Sequence, residues 1–346
     1  MLAIGDRTID VASSTERDVR DPSVAAGGDV ILVVWRDLPR ALSFWLFVPD
    51  YRVYARRFAH DGTALDAQPI LLEAAGSDYV EIELGTATAF DGRNFVAFWG
   101  GSSFAGERQQ LPVHVLRISP TGTLVDSSAM LIAGVKNFGY NSGFRVVNTG
   151  GELLVAWSTW DDYRYIRGIS PPPSPVTAIE VVRLDTRSTS MSVIDERELW
   201  SDADLSKQVG LAWNGSNALL ASVRRGCVLA TLLDAKLATV AEKTKVECGS
   251  NEHPAVAWNG GEFAVAWSAD AVHAIRFDRA LQPLDDAPFA VGPPGIASHE
   301  PSLAASASGV AITYEHLDDE VPRLFTRELD SLGRTPRRAS ASRTSQ

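Results

Sequence analysis

Apolar and polar positions alternate along the chain in a pattern typical of β-hairpins. From Pro254 to Trp267 the sequence reads PAVAWNGGEFAVAW, in which two alternating runs flank an Asn-Gly turn. Alternation with a period of two predicts strands whose side chains point to opposite faces, and Asn-Gly is typical of tight turns. The segment therefore predicts an antiparallel hairpin.

The same pattern recurs without a gap, and its six copies span residues 22–35, 86–99, 144–157, 209–222, 254–267 and 301–314. Their last position is aromatic in all copies except the fourth, where it is Ser222. A second predicted hairpin follows each first one, beginning at Val53, Val113, Ile179, Val228, Val272 and Leu324. Four short strands repeated in this way are typical of a β-propeller blade. We therefore predict an all-β, six-bladed β-propeller with four antiparallel strands per blade.

The two ends of the chain complement each other. The sixth copy lacks a good fourth strand, because Asp330 is followed by polar and basic residues, whereas residues 4–11 resemble the fourth strand of the fifth copy. We expect residues 1–21 to close the last blade, although an open row of sheets is the alternative. The predicted single domain covers residues 1–330, with blades starting at residues 22, 86, 144, 209, 254 and 301. We expect the basic, serine-rich tail, residues 331–346, to be disordered.

The hairpin sequence Val-Ala-Trp-Asn-Gly, followed by the strand Ile-Arg-Phe-Asp at residues 275–278, resembles the repeats of secreted bacterial six-bladed β-propeller proteins. The resemblance covers nearly the whole chain, to about residue 330. It implies the propeller architecture. It implies no single activity, because such proteins include binding proteins, enzymes and uncharacterised lipoproteins.

The first three repeats contain long connections between their second and third strands, at residues 36–52, 100–112 and 158–177. Long loops on one face of a rigid scaffold often bind ligands. These loops mix aromatic and charged side chains, which suit carbohydrate stacking or a protein interface. The candidates are Trp45, Trp160, Asp161, Tyr163 and Arg164. In the alternative interpretation, the loops bury their own aromatic residues against neighbouring blades.

Histidine and acidic residues cluster just before the first strands and just after the aromatic position. We expect them to lie around the mouth of the central channel, where a His–carboxylate pair could act as acid and base or bind a divalent metal. The catalytic candidates are His253, His299, Glu300 and Asp21, and the first three are also the metal candidates. Further ligand-binding candidates are Arg36, Asp37, Glu252 and His316. The alternative is a set of salt bridges between blades.

Other recurring residues are expected to have structural roles. His114 and His273 occupy one repeat position, and another holds Arg57, Arg117, Arg183 and Arg276. The two cysteines, Cys227 and Cys248, are placed at the start of the third strand and the end of the fourth strand of one blade. A disulfide there is geometrically reasonable and would indicate an oxidising compartment, while two buried thiols are the alternative.

The amino-acid composition argues against some classes of function. The 43 acidic residues against 32 basic ones give a net charge of −11, which argues against nucleic acid as a partner. No apolar run is long enough for a membrane helix, and the first residues lack a signal-peptide pattern. We expect an extracytoplasmic monomer whose export signal lies outside this sequence, with no cofactor unless a divalent metal binds at the channel.

The absence of a catalytic motif and the aromatic, charged loops favour a recognition module that binds a glycan or a protein. The alternative is a hydrolase or lyase that uses the His–carboxylate rim. A third hypothesis is a purely structural propeller within a larger assembly.

Overall fold

The computed structural model describes residues 17–39, 52–74, 85–100, 103–105, 108–110, 113–132, 140–160, 177–202, 205, 208–243, 245–291, 298–306, 309–318 and 321–330. These residues form strands, turns and bends without a helix, so the described part of the chain holds no helix that could cross a membrane. The described strands form five four-stranded sheets, one three-stranded sheet and one two-stranded hairpin. All pairings are antiparallel.

The strands of the first three sheets are as follows. The first sheet contains β1 (Arg17–Gly27), β2 (Val30–Pro39), β3 (Arg52–Ala59) and β4 (Ile70–Ala74). The second contains β5 (Thr86–Phe90), β6 (Phe95–Gly100), β9 (Val113–Ile118) and β10 (Met130–Leu131). The third contains β11 (Tyr140–Asn148), β12 (Leu153–Trp160), β13 (Thr177–Asp185) and β14 (Ser192–Asp202).

The strands of the last three sheets continue in chain order. The fourth contains β15 (Gly210–Trp213), β16 (Ala218–Arg224), β17 (Cys227–Leu233) and β18 (Thr239–Lys243). The fifth contains β19 (Glu252–Trp258), β20 (Phe263–Ser268), β21 (Val272–Phe277) and β22 (Phe289–Ala290). The sixth contains β23 (Ser298–Ser306), β24 (Gly309–Asp318) and β25 (Val321–Asp330).

Each sheet is built from consecutive strands, as the repeated hairpins predict. The sixth sheet has three described strands, and the segment expected to complete it falls largely within residues 1–16, which lie outside the described residues. The expected end of that segment at residue 21 was wrong, since residues 17–21 belong to β1 and residues 17–20 pair with β2. The strand continues through Asp21 because a bulge absorbs the irregularity there.

One predicted loop contains structure that the sequence did not indicate. Between β6 and β9, β7 (Ser103–Ala105) and β8 (Arg108–Gln110) pair as a small antiparallel hairpin. Its sequence, SFAGERQQ, lacks the apolar alternation on which the strand prediction depends.

The turns of the first hairpins have a local chemical cause. In the fifth sheet the Asn259 Oδ1 accepts hydrogen bonds from the backbone N–H groups of Gly261 and Glu262, both at 2.9 Å. Gly260 adopts a φ of 99°, which only glycine reaches without strain. Asp91 and Asn214 form the same side-chain turn in the second and fourth sheets.

The chain divides into two compact units, residues 1–175 with 179–196 and residues 176–178 with 197–346. Within each unit the sheets are apolar on both faces and pack against their neighbours in sequence. In the first unit, one core joins the first and second sheets and another joins the second and third. In the second unit, equivalent cores join the fourth to the fifth sheet and the fifth to the sixth. Burial on both faces explains why all of β6 is buried.

The first strands of neighbouring sheets approach each other closely. A Cβ atom at Gly210 on β15 would lie 2.8 Å from Val256 Cγ2 and 2.9 Å from the backbone carbon of Ala255, both on β19. Glycine at this position therefore lets the two strands come together.

Candidate functional site

Four of the first strands share one β-bulge. On β1, β11, β19 and β23 the pairing register shifts by one residue. At each shift two residues lie opposite one aromatic residue of the second strand. The pairs are Asp21–Pro22 opposite Trp35, Gly143–Phe144 opposite Trp157, His253–Pro254 opposite Trp267, and Glu300–Pro301 opposite Tyr314. The recurring aromatic position is thus a buried partner of the bulge.

The first residue of each bulge has a left-handed backbone. The φ angles are 50° for Asp21, 67° for Gly143, 51° for His253 and 52° for Glu300. This conformation costs a non-glycine residue about 1–2 kcal/mol, and a following proline restricts the backbone further. Glycine occupies only one of the four positions. Two carboxylates and one imidazole are therefore retained at strained positions, which is a feature of functional sites.

The His253 imidazole lies between two carboxylates in the second unit. Its Nε2 is 3.9 Å from Glu252 Oε2, and its Nδ1 is 3.9 Å from Glu300 Oε1. Both distances exceed a direct hydrogen bond and leave room for a bridging atom. Nδ1 is buried and has no hydrogen-bond partner among the described residues. The carboxylates are open to solvent, with 71% of the Glu252 side chain and 62% of the Glu300 side chain exposed.

Ser268 connects the two bulged strands of this cluster. It is buried at the end of β20, where it pairs in register with Glu252, and its Oγ accepts a 3.0 Å hydrogen bond from the Glu300 N–H. No local pattern in the sequence predicts this contact. Ser268 follows the aromatic position of the repeat, as Arg36 and Ser158 do, but its bond depends on a neighbouring sheet.

The bulge at Asp21 in the first unit has a different environment. The Arg36 guanidinium donates to Asp21 Oδ2 from Nε at 2.9 Å and also from Nη2. Arg36 is 2% exposed and Asp21 is 40% exposed. The Thr86 hydroxyl, on the next sheet, donates to the Asp21 carbonyl. Two residues that the sequence suggested for catalysis and ligand binding are therefore paired with each other.

The other sequence-predicted residues are less completely described. Asp37 lies on β2 opposite Val19 and Arg52. The backbones of three candidates are placed, with His299 opposite Glu315, His316 opposite Ser298 and Trp160 opposite Tyr140, while their side chains lie outside the described residues. The remaining loop candidates, which lie wholly outside the described residues, are Trp45, Asp161, Tyr163 and Arg164.

A metal site is not formed by the side chains that are described. No group of three or more His, Cys, Asp or Glu residues among them is arranged to hold a metal ion. Of the metal candidates, His253 and Glu300 lie near each other, and the side chain of His299 is outside the described residues.

The two histidines expected to be structural belong to matching clusters. The Trp267 Nε1 donates to Glu247 Oε2 at 2.8 Å, and His273 Nδ1 lies 2.8 Å from the same oxygen. In the second sheet the Trp99 Nε1 donates to Glu73 Oε2, and His114 Nδ1 lies 3.7 Å from Glu73 Oε1. Burial lowers the pKa of His114, an effect that Glu73 opposes.

In the first, second, third and fifth sheets, the recurring arginine pairs with an acidic residue. Arg57 pairs with Asp66, Arg117 with Asp126, Arg183 with Glu152, and Arg276 with Asp285. Hydrogen bonds to the partner carboxylates raise the pKa of Arg117 and of Arg276. Arg117 also donates to the carbonyls of Thr186, Ser188 and Thr189 on the third sheet. These contacts agree with a structural role.

Cys227 and Cys248 form a disulfide, with their Cα atoms 4.0 Å apart. Cys227 begins β17, as expected. Cys248 does not end the fourth strand, because β18 stops at Lys243 and Cys248 pairs with Cys227 through an isolated bridge.

Comparisons with known proteins identify the fold class. Protein-family models gave no match, and no curated protein matches the chain. Among solved structures, the GH93 α-L-arabinofuranosidase of Fusarium graminearum in complex with arabinobiose is similar, with a TM-score of 0.54 and 11% identity over 92% of this chain and 95% of that one. The subtype N11 neuraminidase-like protein of A/flat-faced bat/Peru/033/2010 (H18N11) has a TM-score of 0.51 and 11% identity over 93% of this chain and 90% of that one.

A puromycin-hydrolyzing peptidase of Mycobacterium tuberculosis also matches, with a TM-score of 0.51 and 12% identity over 95% of this chain. The chain spans 53% of that peptidase and about half of some other matched structures. The arabinofuranosidase and the neuraminidase-like protein are β-propellers. The fold of this chain is therefore a β-propeller. At these identities the likeness extends to the fold alone.

Proposed function

We propose that this protein is a glycoside hydrolase whose acid–base pair consists of Glu252 and Glu300, with His253 between them. The observation that carries the proposal is the placement of these groups. The imidazole lies 3.9 Å from each carboxylate, and both His253 and Glu300 are held in a strained backbone conformation. This is the hydrolase alternative of the sequence analysis, and it is supported by β-propeller neighbours such as the arabinofuranosidase.

The chemistry of glycoside hydrolysis suits such a pair. One carboxyl group protonates the leaving-group oxygen, and the other carboxylate activates water or attacks the sugar directly. The exposure of Glu252 and Glu300 lets a sugar reach both groups. The buried, unpartnered Nδ1 of His253 can hydrogen-bond to the carboxyl group of Glu300 or to a hydroxyl group between them. His253 would thereby hold a proton close to one member of the pair.

Carbohydrate binding without hydrolysis is the second candidate function. Exposure of the two carboxylates favours it, because a general acid that stays protonated at neutral pH is usually desolvated. In that case the loop residues around Trp160 would supply the stacking surface that the sequence suggests.

Turnover of substrates with different leaving groups distinguishes hydrolysis from binding alone. It also shows which of the two carboxyl groups is the general acid. Wild-type protein should hydrolyse at least one member of a panel of nitrophenyl glycosides and the corresponding disaccharides. In the variant that lacks the general acid, either Glu252→Gln or Glu300→Gln, cleavage of the disaccharide should fall far more than cleavage of the nitrophenyl substrate, because nitrophenolate leaves without protonation. Binding to glycans without turnover of any substrate would favour the second function.

The disulfide supports a location outside the cytoplasm. Disulfides persist in secreted and periplasmic proteins and are rare in the reducing cytosol. We therefore propose an extracytoplasmic site of action on a glycan substrate.

A further inference from the structure

The segment that precedes the candidate site is bonded to the fourth sheet. Residues 245–251 connect β18 to β19, and the disulfide of Cys248 joins them to the start of β17. Backbone hydrogen bonds reinforce the attachment. The Val228 N–H donates to the Glu247 carbonyl at 2.8 Å, and the Gly249 N–H donates to the Gly226 carbonyl at 3.0 Å. We call residues 245–251 the connector.

Asn251 closes the connector with its side chain. The Nδ2 group donates to the Gly226 carbonyl at 2.8 Å and to the Glu247 carbonyl at 3.0 Å. The side chain is buried, so both donors of the amide are used away from water. Asn251 stands two residues before His253, and its bonds therefore fix the chain immediately before the bulge.

Gly226 makes the close attachment sterically feasible. Its φ is 70°, and a Cβ atom there would collide with the Gly249 carbonyl oxygen. Gly226 belongs to the two-residue turn between β16 and β17, with Arg225 at a φ of 51°. In the first three sheets the equivalent connections are long, whereas here a tight turn lies against the connector.

The connector also reaches the second strand of the bulge. Glu247 Oε2 accepts the hydrogen bond of Trp267, which is the residue opposite the His253–Pro254 pair. The same oxygen lies 2.8 Å from His273 Nδ1. One short segment thus holds both the strand that carries the bulge and the aromatic residue beneath it.

The second sheet contains the same kind of Trp–His–Glu cluster but has no disulfide-linked connector. Glu73, Trp99 and His114 repeat the cluster of Glu247, Trp267 and His273. Glu73 lies within β4, no disulfide joins that strand, and Trp99 pairs regularly with Thr86 without a bulge. The Trp–His–Glu cluster alone is therefore compatible with a regular strand. Since the bulges at Asp21, Gly143 and Glu300 form without a disulfide, the connector is expected to fix the position of the start of β19 and not to create the bulge.

We infer that Asn251 and the Cys227–Cys248 disulfide are positioning residues that hold His253 and Glu252 in the geometry of the candidate site. This inference rests on the proposed glycoside hydrolase function. None of the three residues contacts the substrate. They act through the backbone of the connector, which fixes the position of the start of β19 and thereby of Glu252 and His253.

The test combines turnover with backbone hydrogen exchange. Asn251→Ala and the double variant Cys227→Ser/Cys248→Ser should lower kcat by up to about 100-fold with a smaller change in KM, because misplacement of a catalytic group by about 1 Å has an effect of that size. Amide exchange at residues 249–253 should accelerate in both variants. Asn214→Ala is the matched control, since Asn214 is also buried on the fourth sheet but caps a distant hairpin. It should leave kcat and the exchange at residues 249–253 unchanged.

The outcomes separate the inference from the proposed function. If Asn251→Ala and the cysteine variant fold, hydrolyse substrate at the wild-type kcat and show unchanged exchange at residues 249–253, the inference is wrong. If the wild-type protein lacks glycosidase activity altogether, the proposed function fails. Hydrogen exchange in the same variants then still decides whether the connector holds the bulge, and unchanged exchange overturns that claim as well.

Discussion

The bulges at Asp21 and at His253 have nearly the same backbone but different side-chain partners. Both are left-handed, both precede a proline, and both lie opposite a buried tryptophan. The Asp21 carboxylate is bound by the buried Arg36 guanidinium. The His253 Nδ1 has no hydrogen-bond partner among the described residues, although two carboxylates lie nearby.

This difference in side-chain partners indicates the role of each strained residue. At Asp21 an ion pair with the buried Arg36 guanidinium offsets the backbone strain, so the residue contributes to stability. At His253 and Glu300 no direct hydrogen bond between the side chains offsets it, so the strain fits a role in binding or catalysis. The repeat supplies the same bulged backbone at both places, and the side chains around each bulge determine its role.

The largest expected effect concerns Glu300. Replacing it by Gln should lower hydrolysis about 10³-fold, within the range for loss of a general acid or base. The midpoint of thermal unfolding should stay within a degree or so, because the side chain is 62% exposed and lies 3.9 Å from His253, beyond hydrogen-bond distance. Enzyme kinetics and calorimetry on the same preparation measure both. Asp286→Asn is the matched control, an exposed acid before β22 whose replacement should change neither quantity.

The next effect concerns Asp21. Asp21→Asn should lower the free energy of unfolding by about 2 kcal/mol, since it removes the carboxylate that pairs with the buried Arg36 cation, while solvent screens the half of the pair at Asp21 that is exposed. Asn adopts left-handed backbone readily, so the substitution tests the charge and not the conformation. Urea denaturation of this variant beside Glu300→Gln provides the measurement. Equal stability of the two variants would contradict the division of roles between the bulges.

A smaller effect of opposite sign is expected at His253. His253→Gly should raise the free energy of unfolding by about 1 kcal/mol, because glycine accepts a φ of 51° without the Cβ clash. The same variant should lose most of its hydrolytic activity. A variant that is both less stable and fully active would show that the imidazole is structural.

The smallest effect concerns the pH dependence of the second sheet. Burial lowers the pKa of His114 below its ordinary value of 6.5, so the unfolded chain takes up a proton at a higher pH than the folded chain. The stability contributed by this residue is present above pH 6.5 and is lost as the pH falls through the folded pKa. His114→Gln should therefore flatten the unfolding free energy between pH 7.5 and pH 5, as measured by denaturation at each pH. An unchanged slope would argue against the buried, neutral imidazole.

The sequence predicted the hairpins because alternation and turn residues are local properties. It also predicted a repeated structural role for the recurring arginines, which pair with acidic residues, for example Arg117 with Asp126. The bulges were not predicted, although a signal for them is present. Asp21, His253 and Glu300 each precede a proline that opens a repeat ending in an aromatic residue.

The support of the candidate site could not be predicted from local sequence. Ser268 binds the backbone of Glu300 on another sheet, and Asn251 binds carbonyls on both sides of a disulfide. Such contacts depend on which strands become neighbours in three dimensions. Similarly, the pairing of Asp21 with Arg36 depends on the register of β1 and β2. It joins two side chains that the sequence analysis assigned to catalysis and to ligand binding.

The most direct test of the central claim is the initial rate of reducing-sugar release by the wild-type protein and by the double variant Glu252→Gln/Glu300→Gln, on one panel of disaccharides. The account predicts release from at least one disaccharide by the wild type and a rate at the background of the assay for the folded double variant. Equal rates for the two proteins, or no release by the wild type from any member of the panel, would contradict it.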